Sequence, residues 1–91
     1  MKFLIRYHEK VVHYDIPALS KTERGWIKRA IEEKLTAHPE IFAKPLRRSL
    51  KGYRSLRVSD YRVIFRIEGS TIFITHIGLR PTAYQQATKR I

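Results

Sequence analysis

From Tyr53 onward the chain repeats with a period of two, three times in succession, with almost nothing between the repeats. Tyr53 to Val58, Tyr61 to Ile67 and Thr71 to Ile77 alternate apolar and polar residues, separated only by Ser59-Asp60 and Glu68-Gly69-Ser70. Such runs read as strands, and links this short leave no room for the crossover that parallel neighbours require. The second half of the chain is therefore confined to an antiparallel three-stranded meander, and the first half must cover one of its faces.

The first half has the elements to do so. Lys2 to Tyr7 alternates well enough for a strand, and a short helix or turn follows over Glu9 to Ile16, stopping near Pro17. Ser20 with Glu23 three residues later forms a capping box, after which Trp26, Ile27, Ala30, Ile31 and Leu35 recur at helical spacing. That helix is expected to run to about His38, with Pro39 beyond its end. After Arg80 the sequence is polar, with Pro81 near its start, and forms a short helix or an irregular tail. The fold class is α+β: an antiparallel sheet, made of the N-terminal strand and the C-terminal meander, packed on two N-terminal helices. With 91 residues, residues 1–91 are expected to form one domain with a thin core.

Charge narrows the function. Residues 1–43 carry eight Lys/Arg against six Asp/Glu, whereas residues 44–91 carry eleven against two, so most of the net charge of +11 lies in the meander half. Six of the fourteen residues from Lys44 to Arg57 are cationic: Lys44, Arg47, Arg48, Lys51, Arg54 and Arg57. A folded surface of that kind favours polyanions, and these residues are candidates for gripping RNA. Basic charge placed only for solubility is ordinarily mixed in sign, and a membrane surface calls for an amphipathic helix that the basic half lacks. There is no Cys, no secretory leader at Met1 to Tyr7, and no apolar run near the roughly 20 residues of a membrane span. The expectation is a soluble, cytoplasmic protein.

The segment LKGYRSLRVSDYRVIFRIEGSTIFITHIGLRPTAY, residues 50–84, resembles the RelE/ParE superfamily of toxins. The shared elements are a basic strand, a turn, an aromatic-Arg strand, a hydrophobic strand and a Gly-x-Arg element ending in Tyr. The resemblance implies a small RelE-like fold and, on the RelE branch, a toxin that cuts mRNA in the ribosomal A site. It also implies the chemistry: metal-independent attack of a ribose 2′-hydroxyl on the adjacent phosphorus, with no cofactor. Within that pattern Arg62 corresponds to the catalytic arginine, Arg57 to the basic residue before the turn, Arg80 to the arginine of Gly-x-Arg, and Tyr84 to the C-terminal tyrosine.

Guanidinium groups stay charged and bind phosphate oxygens bidentately, and one preorganised donor of this kind is typically worth about 10² to 10³ in rate. They are poor bases. Tyr84 either stacks on a nucleobase, worth about 1–3 kcal/mol, or takes a proton with the arginines stabilising its phenolate. Where the best-known RelE pattern has two lysines on the strand before the turn, this chain has Tyr53 and Ser55. Arg54 between them should face the other way and Lys51 lies two residues upstream of Tyr53, so either Lys51 reaches in, or proton transfer falls to Tyr84, or activity is reduced. His76 stands two residues before Gly78 and reads best as a partly buried strand histidine, and His8 and His13 are not spaced for a metal.

Two other readings remain open from the sequence. ParE-like members inhibit DNA gyrase, against which Tyr61-Arg62 argues. A non-catalytic nucleic-acid-binding module would use Tyr53 and Tyr61 as exposed stacking platforms. The resemblance further implies a cognate antitoxin as partner. Val11, Val12 and Ile16 are either core residues or a seat for an antitoxin helix.

Overall fold

The computed structural model describes residues 2–91. Strand β1 (Leu4–Tyr7) leads through a π-helical turn (Val11–Asp15) into helix α1 (Lys21–Ala30), which continues as a second π-helical segment (Ile31–Leu35). Then come α2 (Pro39–Phe42), β2 (Ala43–Pro45), a 3₁₀ turn (Arg48–Leu50), β3 (Tyr53–Val58), β4 (Tyr61–Glu68), β5 (Thr71–Leu79) and α3 (Thr82–Thr88). The sheet has five strands in the order β1-β5-β4-β3-β2.

The meander is as expected: β3 pairs antiparallel with β4, and β4 with β5. The N-terminal strand corrects the expectation of an all-antiparallel sheet, because β1 lies parallel to β5, Ile5 against Ile72 and Tyr7 against Ile74. Alternation has period two in either direction, so it identifies a strand without orienting it. The helices carry the chain from β1 at one edge to β2 at the other. β2 is a strand that the sequence reading lacks; three residues ending in Pro45 are too few to show a period.

The capping box forms as read, with Glu23 N–H donating to Ser20 Oγ at 3.1 Å and Ser20 N–H to Glu23 Oε1 at 3.0 Å. The helix it opens changes pitch at Ile31 instead of running unbroken to His38. Its buried residues Ile27, Ile31 and Leu35 are spaced by four, a spacing that drifts about 40° per step in an α-helix. Widening the last turn to i→i+5 bonding turns Leu35 back toward the sheet, where all three side chains are buried. Pro39, expected after the helix, opens α2 at its first position, where its missing N–H costs nothing.

The sheet has two unlike faces. One carries Leu56, Val63, Phe65, Ile72, Ile74 and Ile77, which pack with Val11, Leu19, Ile27, Ile31 and Leu35 into the main core. The other is covered over only part of its area by α3 and the 3₁₀ turn, through a small cluster of Leu50, Ile64 and Ala87 with Tyr53 and Tyr84 at its margin. The remainder of that second face is open.

Candidate functional site

The Ser59-Asp60 turn anchors the open face. A two-residue link between β3 and β4 requires a positive-φ corner, and Ser59 supplies it with φ of 55°. Its carbonyl oxygen accepts from Arg57 Nε at 3.4 Å and from Arg62 Nη1 at 3.3 Å. The neighbouring carbonyl of Asp60 accepts the backbone N–H of Arg80 at 3.1 Å. One turn thus gathers three arginines from three separate stretches of chain.

Register sets what surrounds them. Arg57 stands directly opposite Arg62, and Arg62 directly opposite Gly78. Two residues back along the same face of β3 lies Ser55, which faces Lys44 of β2 and whose Oγ is 3.4 Å from the hydroxyl of Tyr84 on α3. Lys44, Ser55, Arg57, Arg62, Arg80 and Tyr84 line a cleft of about 260 Å³. Through Arg57, Arg62 and Arg80 it opens onto a basin of about 550 Å³ beside the turn. Through Lys44, Arg80 and Tyr84 it joins a trough of about 850 Å³ that passes Arg47 and Arg48.

The electrostatics are one-sided. Asp60 is the one acid lining these three spaces. Among the described residues the ion pairs are Arg66 with Glu68 and the pairs made by Asp15, so none neutralises Arg57, Arg62 or Arg80. Like charges directly opposite on paired strands destabilise a sheet by roughly 0.2–1 kcal/mol, a cost that a bound phosphate would relieve. The arginines can hold and stabilise an anion but not move a proton. The groups in the cleft with transferable protons are the Lys44 amine and the hydroxyls of Ser55 and Tyr84.

Known proteins match both the sequence and the fold. Residues 4–84 match the profile described as the ParE toxin of type II toxin-antitoxin system, parDE. The chain belongs to that family. Toxin RelE of Mycobacterium tuberculosis is 38% identical over 53 residues, 56% of this chain and 55% of the relative, so the chain spans about half the length of the curated relative it matches. Its fold is similar to the RelBE2 toxin-antitoxin complex of M. tuberculosis, with a TM-score of 0.81 and 26% identity over 88% of this chain and 100% of that one. It is also similar to a double arginine-to-alanine mutant of E. coli toxin RelE in the free state, with a TM-score of 0.79 and 25% identity over 100% and 99% of the two chains. These place the toxin in the RelE/ParE superfamily.

Within the toxin, Arg57, Arg62, Arg80 and Tyr84 all line the same cleft. Lys44 differs from its expected place. The sequence reading groups it with the outer gripping residues, yet β2 brings it into the cleft opposite Ser55, whereas Lys51 does not line it. Arg47 and Arg48 line the trough, Arg48 with φ of 59°, a backbone conformation uncommon outside glycine. Arg54 points to the opposite face, as strand alternation requires, and donates to the carbonyl of Ala43 at 3.2 Å. The two tyrosines expected as open stacking platforms are both engaged. The Tyr53 hydroxyl accepts from Arg66 at 3.0 Å, and Tyr61 packs against the main core, where burial and the Glu23 carboxylate push its phenol up.

His76 is buried on the cleft side of β5, beneath α3. Its Nε2 fills the space above Gly78, where an added Cβ would lie 2.4 Å away. Its Nδ1 sits 3.2 Å from Asp15 Oδ2, close enough for an ion pair when the ring is charged but off the line of a good hydrogen bond. Asp15 itself is a hub that the sequence reading missed. It accepts from both terminal nitrogens of Arg90, at 2.6 and 2.9 Å, and from the Ile77 N–H at 2.9 Å. Arg90 also donates to the Thr75 carbonyl at 3.1 Å. Burial alone would raise the Asp15 carboxyl, but His76, Arg90 and the Ile77 N–H outweigh it and bring the carboxyl down from 3.8 to about 2. A lone Asp before Ile16-Pro17 and an Arg next to the last residue, 75 positions apart, leave no periodic signal.

Proposed function

We propose that the toxin is an endoribonuclease that enters the ribosomal A site and cleaves the mRNA being read. The observation that carries this reading is the convergence of Arg57, Arg62 and Arg80, without acidic partners, on one cleft that also holds Lys44 and Tyr84. The reaction needs those parts. The ribose 2′-hydroxyl attacks the adjacent phosphorus and loses its proton, the bond from phosphorus to the 5′-oxygen breaks, and that oxygen takes up a proton. The products are a 2′,3′-cyclic phosphate and a free 5′-hydroxyl. The charge that grows on the equatorial oxygens of the phosphorane lies where guanidinium donors act most strongly. Lys44 from β2 and Tyr84 from α3 both line the cleft and take the two proton-transfer roles.

The trough past Arg47 and Arg48 extends the same charge along a path for the RNA backbone. A cognate antitoxin is the natural partner of such a surface, since an anionic segment laid over it would offset the repulsion among the arginines. On the helical face, Val11 belongs to the core while Val12 is half exposed beside an apolar depression that also includes Tyr7, Ile16 and Leu19. That depression offers an antitoxin helix a second seat.

Expression of the toxin should arrest growth and produce cuts within codons being translated. Arg62→Ala and Arg80→Ala should each abolish the cuts while the purified variants keep the wild-type thermal midpoint to within a few degrees. Growth arrest with intact mRNA and broken DNA would replace this reading with gyrase inhibition, the activity of ParE-like toxins.

A further inference from the structure

Trp26 is the chain's single tryptophan. Helical spacing groups it with the core residues of α1, yet its side chain is 51% exposed. It walls a depression of about 320 Å³ together with Arg29, Glu33, Lys34, Ser59 and Arg57. Arg57 also lines the catalytic cleft, so the two spaces meet at one guanidinium. β2 pairs with β3 only from Arg54 to Leu56, which leaves Arg57 and Val58 without a strand partner on that side. A chain leaving the cleft past Arg57 would cross this edge and arrive at the indole.

We infer that this depression is a nucleotide subsite, in which Trp26 stacks on the base of a nucleotide adjoining the scissile phosphate while Arg29 and Arg57 hold its phosphates. This rests on the ribonuclease reading for its orientation toward the cleft. The chemistry selects RNA over an acidic peptide as occupant. Three cations face a single carboxylate, Glu33, which supplies the attraction for a backbone charge. A broad, exposed indole beside them supplies a sequence-tolerant platform for a base, a combination characteristic of single-strand binding. Lys34, whose ammonium lies 5.6 Å from the centre of the Phe42 ring, also lines the depression.

Because Trp26 is the sole indole, its fluorescence reports directly on the subsite. The probe is an all-2′-deoxy single-stranded octanucleotide carrying a distant dye. It cannot be cleaved by 2′-hydroxyl attack, and its overall binding is followed separately by anisotropy. Binding should quench the indole, and Trp26→Ala should weaken affinity about 5- to 150-fold, the range that one base–aromatic stack represents. Trp26→Phe should recover most of the loss.

Binding of the octanucleotide with unchanged fluorescence, or with equal affinity for Trp26→Ala, overturns the inference, as does failure to bind at all. Equal quenching by poly-glutamate at matched charge would mean that the depression reads charge alone and accepts an acidic protein segment. The ribonuclease reading stands or falls separately, on cleavage of mRNA in translating ribosomes by the wild-type toxin. Trp26-dependent binding without that cleavage would leave a nucleic-acid subsite on a toxin of another activity.

Discussion

Replacing Asp15 by Asn should remove a large share of the toxin's stability, and the size of the loss follows from two views of the same buried ion pair. The first is the carboxyl's fall from 3.8 to about 2, worth about 2 kcal/mol at neutral pH for a side chain only 6% exposed. The second is the guanidinium left behind. Arg90, whose side chain is 9% exposed, would be buried without its counter-charge, and breaking a buried pair from one side typically costs about 3–5 kcal/mol. A domain of 91 residues has roughly 5–14 kcal/mol in all. A loss of about 3 kcal/mol lowers the thermal midpoint by about 12–24 °C.

The pH dependence gives the test its direction. The folded-state carboxyl lies below its unfolded value, so its contribution is fully present above about pH 5 and disappears as pH falls through 4 toward 2. Urea titrations of wild type and Asp15→Asn at pH 7, 5, 4 and 3 should show a constant difference down to pH 5, about half of the carboxylate's contribution gone at pH 3, and near convergence beyond. The paired change Asp15→Leu with Arg90→Met should recover much of the stability at pH 7, because an apolar pair leaves no charge buried. An Asp15→Asn variant that melts within about 5 °C of wild type at pH 7, or a difference that persists undiminished at pH 3, would refute the account.

Further outcomes follow from the cleft. Arg57→Gln removes one of two like charges facing each other across β3 and β4, and should stabilise the fold by about 0.5 kcal/mol, about 2–4 °C in calorimetry, while lowering cleavage. Lys44→Met should reduce the single-turnover cleavage rate far more than Lys51→Met, since only Lys44 lines the cleft; equal effects would return Lys44 to a gripping role. Tyr84→Phe should cut that rate strongly, because the hydroxyl shuttles a proton; a slight effect would reduce the ring to a stacking role. Gly78→Ala drives a Cβ into the His76 ring and should cost about 1–3 kcal/mol in chemical denaturation. The cost should be smaller in a His76→Ala background, because the two positions are in contact.

The readable and unreadable parts of this protein divide by the distance over which the signal acts. The meander and the capping box are local: Ser59-Asp60 must turn, and Ser20 with Glu23 must cap, whatever the rest of the chain does. The meeting of the three cleft arginines was legible because Arg57 and Arg62 flank that turn and Arg80 follows the next strand, so it needs only the meander. Lys44 was misplaced because its position depends on β2, a strand too short for alternation and defined only by the register Lys44 against Ser55. The parallel direction of β1, the engagement of Tyr53 by Arg66, and the Asp15–Arg90 pair are likewise settled by packing between distant segments. Trp26 went astray for the opposite reason: it satisfies the helical period but lies at the rim of the stripe, where spacing alone cannot separate a buried side chain from an exposed one.

These long-range contacts explain how a fold this small tolerates its own site. The cleft sets arginines against one another with no carboxylate to pair them, and the helix that closes it, α3, is seven residues long and too short to be stable alone. Tyr84 is presented to the cleft only while α3 stays against the sheet. Ala83 and Ala87 are fully buried there but offer little area, so apolar packing alone is a weak hold. Arg90, immediately past the helix, adds the missing constraint by tying the C-terminal end to Asp15 and to the Thr75 carbonyl of β5. Among the described residues the most strongly paired carboxylate, Asp15, thus lies outside the cleft, where it holds the tyrosine's helix in place and leaves the cleft arginines without a counter-charge.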